Sequence, residues 1–262
     1  MKRLVFVVVC GFTASLAAQQ APQKFEVASV KRNYVPDLLQ RMRITVTPGR
    51  YSATNVTLRD VIKHAYSVID DQLSGGPGWM NSTKFNVEGT APGAKPEELR
   101  PLAQRLLADR FRLVITKQTR TRPIFRLVRA RPDDKLPKGL TPDSCPIDTS
   151  NGQPRLCNTI AGGPSSLIGV SITMAQLAKL LSSWPYAELG RLVVDATGLD
   201  GVYRFSMQHA AIREFEGLRV NNDPNLPSFT TALQEQVGLK LESARGPVEV
   251  LVIDSAQLPT PD

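Results

Sequence analysis

The sequence predicts an α+β fold made of two similar halves, each of small βαβ-type units in which a helix is followed by a β-hairpin. Three observations lead there. The stretch "NVTLRDVIKHAY" at 55–66 and the stretch "GVSITMAQLAKLL" at 169–181 share a β-branched residue, a Thr and an amphipathic run. The elements around each recur in the same order. A Pro- and Gly-rich segment separates the two sets, as surface connections do.

In the first half, 24–131, "KFEVASVKR" and "RITVTPGRYSATN" alternate apolar and polar residues as strands do, with a Pro-Gly turn in the second. A helix follows, with Leu58, Val61, Ile62, Ala65 and Ile69 on one face. Thr57 is its expected N-cap, and Asp60 stands where a capping-box acid belongs. The wheel puts His64 opposite the apolar stripe, on the solvent face. "TKFNVEGTA" returns as a strand, and "KPEELRPLAQRLLADRF" forms a second helix that requires Pro101 in its first turn. "RLVITKQTR" and "RPIFRLVRA" then read as a hairpin.

The second half, 167–258, repeats this order. "SSLIGVSIT" is a strand, and Thr173 with Gln176 forms the next cap, followed by Met174, Leu177, Ala178 and Leu181 on the buried face. "RLVVDATGLDGVYRFSMQ" supplies two short strands. Ser228 caps a last helix with Phe229, Ala232, Leu233 and Val237 inward, and Gly238 ends it in a left-handed conformation. "LKLESARGPVEVLVID" closes as a second hairpin.

The N-terminus has Lys2 and Arg3 ahead of an apolar run to Ala18, the pattern of a signal peptide over 1–18, cleaved near Ala18. The run is too short to span a membrane, so no span is expected after cleavage. The destination is secreted or periplasmic. Cys10 leaves with the signal, so Cys145 and Cys157, inside the 132–166 linker, remain to form one local disulfide. A metal site is the alternative, but no nearby His or second Cys pair completes a ligand set.

Chemistry is sparse. Neither H-E-x-x-H nor G-x-S-x-G occurs, and both phosphate-loop fingerprints are missing. Asp70 with Asp71, Asp133 with Asp134, and Asp195 with Asp200 are carboxylate pairs, all in turn-like sequence. No catalytic residue, metal or cofactor is assigned. From Arg110 to Arg131 the chain carries eight basic residues and no acid. Arg120, Arg122, Arg126 and Arg129 are the candidate binding surface for an acidic partner protein or an anionic glycan. The other reading is a solvated strand face. A formal net charge of +8 is compatible with a polyanion, but an exported chain has little access to nucleic acid, and none is expected as a partner.

"FEVASVK", "YSATNVTLRDVIKHAY", "SGGPGWMNSTKFNVEG", "LLADRFRL", "VVDATGLDGVYRF" and "ALQEQVGLKLESARGPVEVLVID" together resemble an exported domain-of-unknown-function family expanded in acidobacterial, Solibacter-type genomes. That resemblance implies an envelope or secreted protein and brings no catalytic residue. The stretch "TALQEQVGLKLESARGPVEVLVID" is also similar to the short N-terminal domain of secretins and TonB-dependent receptors, which implies protein docking. The function expected is therefore a non-catalytic extracytoplasmic interaction or sensor module with an unknown envelope partner. An envelope enzyme acting on glycans and an anionic-glycan binder are the alternatives.

Overall fold

The structure, a computed structural model, describes residues 24–36, 40–133, 135–144, 157–184, 186–187, 189–211, 223 and 225–259. The expected signal peptide, and Cys145 of the expected disulfide, lie outside the described residues. The fold is mixed α+β, with three four-stranded sheets among the described residues.

The first sheet holds β1 (Val27–Arg32), β2 (Arg43–Thr47), β3 (Arg50–Thr57) and β5 (Lys84–Thr90) in the order β1-β5-β3-β2, all antiparallel. Between them come α1 (Leu58–Tyr66) and the short β4 (Leu73–Gly75). The helix α1 starts where expected. Thr57 Oγ1 accepts from the Asp60 N–H at 3.1 Å, and Asp60 accepts from the Thr57 N–H at 3.0 Å, so two orphan donors are satisfied reciprocally. Next is α2 (Pro96–Phe111), which starts earlier than Pro101 requires. Pro101 sits in the second turn and forfeits one helical bond. The loss is tolerable because Glu97, whose carbonyl is left open, and Pro101 are both exposed to water.

The second sheet is central. It contains β6 (Val114–Arg129), β10 (Val193–Asp195) and β12 (Leu239–Ser255) with β4, in the order β10-β6-β12-β4. Here the two expected hairpins are corrected: β6 and β12 are each one continuous strand, and they pair with each other, antiparallel, from Leu239↔Arg129 to Ile253↔Ile115. A hairpin inside either strand needs positive φ at its turn, and no residue of β6 or β12 adopts it. Gly246, inside β12, serves close packing: a Cβ there would come within 2.7 Å of Ile124 Cδ1. The prolines do not interrupt the ladder. The Phe125 N–H donates to the Leu192 carbonyl at 2.8 Å, so residues in step with it turn their N–H away from β12, and Pro123 is one of them. Pro247, opposite Thr121, lies in a pair of the same kind.

The third sheet has β7 (Thr141–Pro142), β8 (Thr159–Gly163), β9 (Ser166–Ile172) and β11 (Tyr203–Gln208) in the order β7-β11-β9-β8. After β9 comes α3 (Met174–Ser183), capped by Thr173 and Gln176 as α1 is by Thr57 and Asp60. The device repeats one residue deeper. Both β3 and β9 carry an extra residue against their partner just before the cap, with Asn55 at φ 55° and Ser171 at φ 53°. The last helix, α4 (Phe229–Ala232), widens into a π turn at Leu233–Val237 and ends at Gly238, φ 77°.

Two cores flank the central ladder. One gathers the apolar faces of α1 and α2 over the first sheet and includes Leu251 and Ile253 of β12. The other gathers α3, α4 and the third sheet and includes Leu127 of β6. Each core thus contains a strand from the other end of the chain. The short strands cross in the same sense: β4 pairs parallel with β12, and β10 pairs parallel with β6.

Thr57→Ala and Thr173→Ala should each lower unfolding free energy by about 1 kcal/mol. The two caps share no partner, so the double variant should lose roughly the sum in urea denaturation.

Candidate functional site

The Arg run does not form one surface. Along the unbroken alternation of β6, Arg120, Arg122 and Arg126 fall on one face and Arg129 on the other. The Arg120 guanidinium donates to Gln118 Oε1 at 2.8 Å. Arg122 lies 3.8 Å from an Asp71 carboxylate oxygen, and Arg126 stands opposite Glu242 across the ladder. Cys157 is described, its carbonyl accepting from the Thr159 hydroxyl at 3.0 Å, while Cys145 is not.

Asp134 of the expected carboxylate pairs lies outside the described residues, while Asp70 and Asp195 are engaged in structure. Asp70 accepts from Arg59 Nε at 2.7 Å and from Lys63 Nζ at 2.8 Å. Burial alone would push its carboxyl up; the hydrogen bonds and charges of Lys63 and Arg59 outweigh that and hold it below the ordinary carboxylate value. Asp195 accepts from the Thr197 N–H and hydroxyl at 2.9 and 2.8 Å, an Asx turn. Among the described residues, no three His, Cys, Asp or Glu side chains gather to hold a metal ion.

What the structure does build is a cleft of about 960 Å³. One wall is α1 with the turn that follows it; the other is α3 with Trp184 and β10. The apolar lining includes Ile44, Val68, Ile69, Ala178, Leu192 and Val193. Such a volume and lining suit a small-molecule site.

His64 lines this cleft, which corrects its expected place on the open solvent face. It is half-buried, with Nδ1 3.2 Å from the Tyr51 hydroxyl and the two rings edge to face at 5.5 Å. The wheel of α1 was right about the helix, but β3 delivers Tyr51 against the face it leaves open. Tyr51 is fully buried, and burial raises its phenol pKa, so the hydroxyl keeps its proton and must donate it. Its partner is His64 Nδ1, which leaves the imidazole proton on Nε2. Burial lowers the His64 pKa, and the nearby Arg100 charge adds to the effect. His64 is therefore a neutral donor without a carboxylate to strengthen it as a base.

Arg100 and Lys179 line the same cleft, and neither has an ion-pair or hydrogen-bond partner among the described residues. Sequence inspection passed over Tyr51, Arg100, Lys179 and Trp184. Lys179 alone left a signal: it lies six residues after its N-cap, as Lys63 does, but Gln176 stands where Lys63 has Asp60.

Fold and site together define an α+β protein with an interhelical cleft lined by apolar side chains and hydrogen-bond donors. The chain belongs to the family described as protein of unknown function (DUF3738), whose model matches residues 59–256. Comparisons with curated proteins and with solved structures find no match. Among the described residues no helix is long and apolar enough to cross a membrane.

The pH dependence of stability tests the His64 geometry. Unfolded, the imidazole protonates near pH 6.5; folded, it resists protonation, so its contribution is complete above about pH 6.5 and is lost as pH falls below that value. His64→Gln, which keeps an acceptor for Tyr51 but does not titrate, should flatten the fall in urea midpoint between about pH 7 and pH 5.

Proposed function

We propose that the protein is an exported, non-catalytic sensor or interaction module that binds its ligand in the cleft between α1 and α3. The observation that carries this reading is the cleft's chemistry. It is roomy and mostly apolar, and its imidazole is held by a phenol instead of a carboxylate, an arrangement for donating a hydrogen bond rather than abstracting a proton.

Export rests on Lys2, Arg3 and the apolar run to Ala18. In an oxidising compartment Cys145 and Cys157 would staple the 132–166 linker between the segments 24–131 and 167–258. These segments form two copies of one α+β unit, a reading supported by the matching bulge and cap at Asn55–Thr57 and Ser171–Thr173. The crossing of β4 and β10 also supports it. Glycan binding on β6 is the weaker reading, because Asp71 and Glu242 already stand beside Arg122 and Arg126.

The test is ligand capture. An extract of the protein's own envelope should raise the melting temperature. At about 100 times Kd, binding adds about 2.7 kcal/mol, or roughly 5–10 °C for a chain of this size. Ala175→Trp places bulk in the cleft from an exposed position of α3 and should remove that rise. A rise that survives Ala175→Trp places the ligand elsewhere and rejects the cleft.

A further inference from the structure

We infer that the cleft's ligand is an amphiphilic anion, an aromatic or aliphatic body carrying one carboxylate. The inference rests on the reading of the cleft as a ligand site and adds the chemical class. It follows from sorting the cleft's polar groups into those already satisfied and those left open.

The acids are spoken for. Asp60 is held by the Thr57 cap, with Lys63 3.5 Å away; Asp70 is held by Arg59 and Lys63; Asp195 is held by Thr197. Lys63 is thereby neutralised. Ser182 and Ser183 donate to carbonyls of their own helix, and Gln72 spans the Ile69 N–H and the Glu249 carbonyl. The groups left over include the His64 Nε2–H, the Trp184 Nε1–H, the Arg100 guanidinium and the Lys179 ammonium, all donors and two of them cationic.

All of them face one cavity. Arg100, from α2, lines the cleft together with His64, and its charge adds to the lowering of the imidazole pKa, so both donors face the same cavity. Lys179 stands on the opposing wall one helical turn from Ala175. Lys63 has two carboxylates, Asp70 at 2.8 Å and Asp60 at 3.5 Å, whereas Lys179 has neither counterpart among the described residues and Gln176 stands in the place of Asp60. A cationic ligand would meet two unpaired positive charges against one carboxylate, Asp195, that no cation pairs among the described residues. A polyol would cover the apolar walls without gaining from their burial. A carboxylate on an apolar body satisfies both sets of groups.

Three probes of one shape separate the possibilities: 4-phenylbutyrate, 4-phenylbutanamide and 4-phenylbutylamine, titrated calorimetrically into the purified protein. Phenylbutyrate should bind about tenfold more tightly than the amide, the amine should bind most weakly, and added salt should shrink the preference. Arg100→Gln with Lys179→Gln should erase the tenfold preference while leaving the amide's affinity unchanged. His64→Phe should weaken the carboxylate several-fold, and His64→Gln, which keeps an N–H donor, should weaken it less. An amide or amine that binds as tightly as the carboxylate, or no carboxylate binding at millimolar concentration, overturns the anion. The cleft itself stands in either case if Ala175→Trp still abolishes the rise in melting temperature produced by envelope extract, and falls if that rise survives.

Discussion

The ladder between β6 and β12 is the constraint from which the rest of the architecture follows. Two strands of 16 and 17 residues, far apart in the chain, hold one register over almost their whole length. A pairing of such long sequence separation is entropically expensive to close, and it is repaid by burial at both ends. Leu251 and Ile253 enter the core under α1 and α2, and Leu127 enters the core under α3 and α4. A slip of one residue would turn these side chains to the opposite faces of the sheet. The register is therefore fixed by both cores at once.

The ladder also makes the cleft. Its outer edges accept only short parallel strands, β4 on β12 and β10 on β6. β4 follows the turn after α1, and β10 lies across α3, where the Val193 N–H donates to Ser182 Oγ at 2.8 Å. The two capped helices are thus anchored to opposite edges of one sheet, and the space between them is the cleft. Neither helix could be moved without breaking a strand pairing, so the site rests on the most extensively hydrogen-bonded part of the molecule. A binding site built on such a support is preorganised.

What the sequence disclosed was local, and what it withheld was tertiary. The N-caps at Thr57, Thr173 and Ser228 and the inward faces of their helices were legible, because capping chemistry and a 3.6-residue period are properties of adjacent residues. β6 and β12 were misread as hairpins because an antiparallel partner far away in the chain imposes the same alternation as one next door. Gly246 is there to let Ile124 approach, a contact between distant segments that no local pattern announces. His64 was misjudged for the same reason: a helical wheel knows nothing of Tyr51, which arrives from another element. The cleft had no sequence signature, since its lining comes from two separated stretches, 42–100 and 175–195, that meet only when the ladder closes.

Using one capped helix twice need not produce one surface twice. In α1 the residue three beyond the cap, Asp60, both completes the capping box and lies 3.5 Å from Lys63. In α3 the same place is taken by Gln176, which completes the box equally well but carries no charge. The fold therefore tolerates the exchange, because the cap needs an acceptor and not an anion. The electrostatics do not: Lys63 becomes a neutralised, structural cation and Lys179 stays open to the cleft. At the next position after these lysines, α1 has His64, which lines the cleft, and α3 has Leu180, which packs against the second core. Two helices with the same N-cap device thus present unlike faces across one cavity. Under the proposed anion reading, His64 and the unpaired Lys179 would meet the charged end of a ligand and the apolar lining the rest of it.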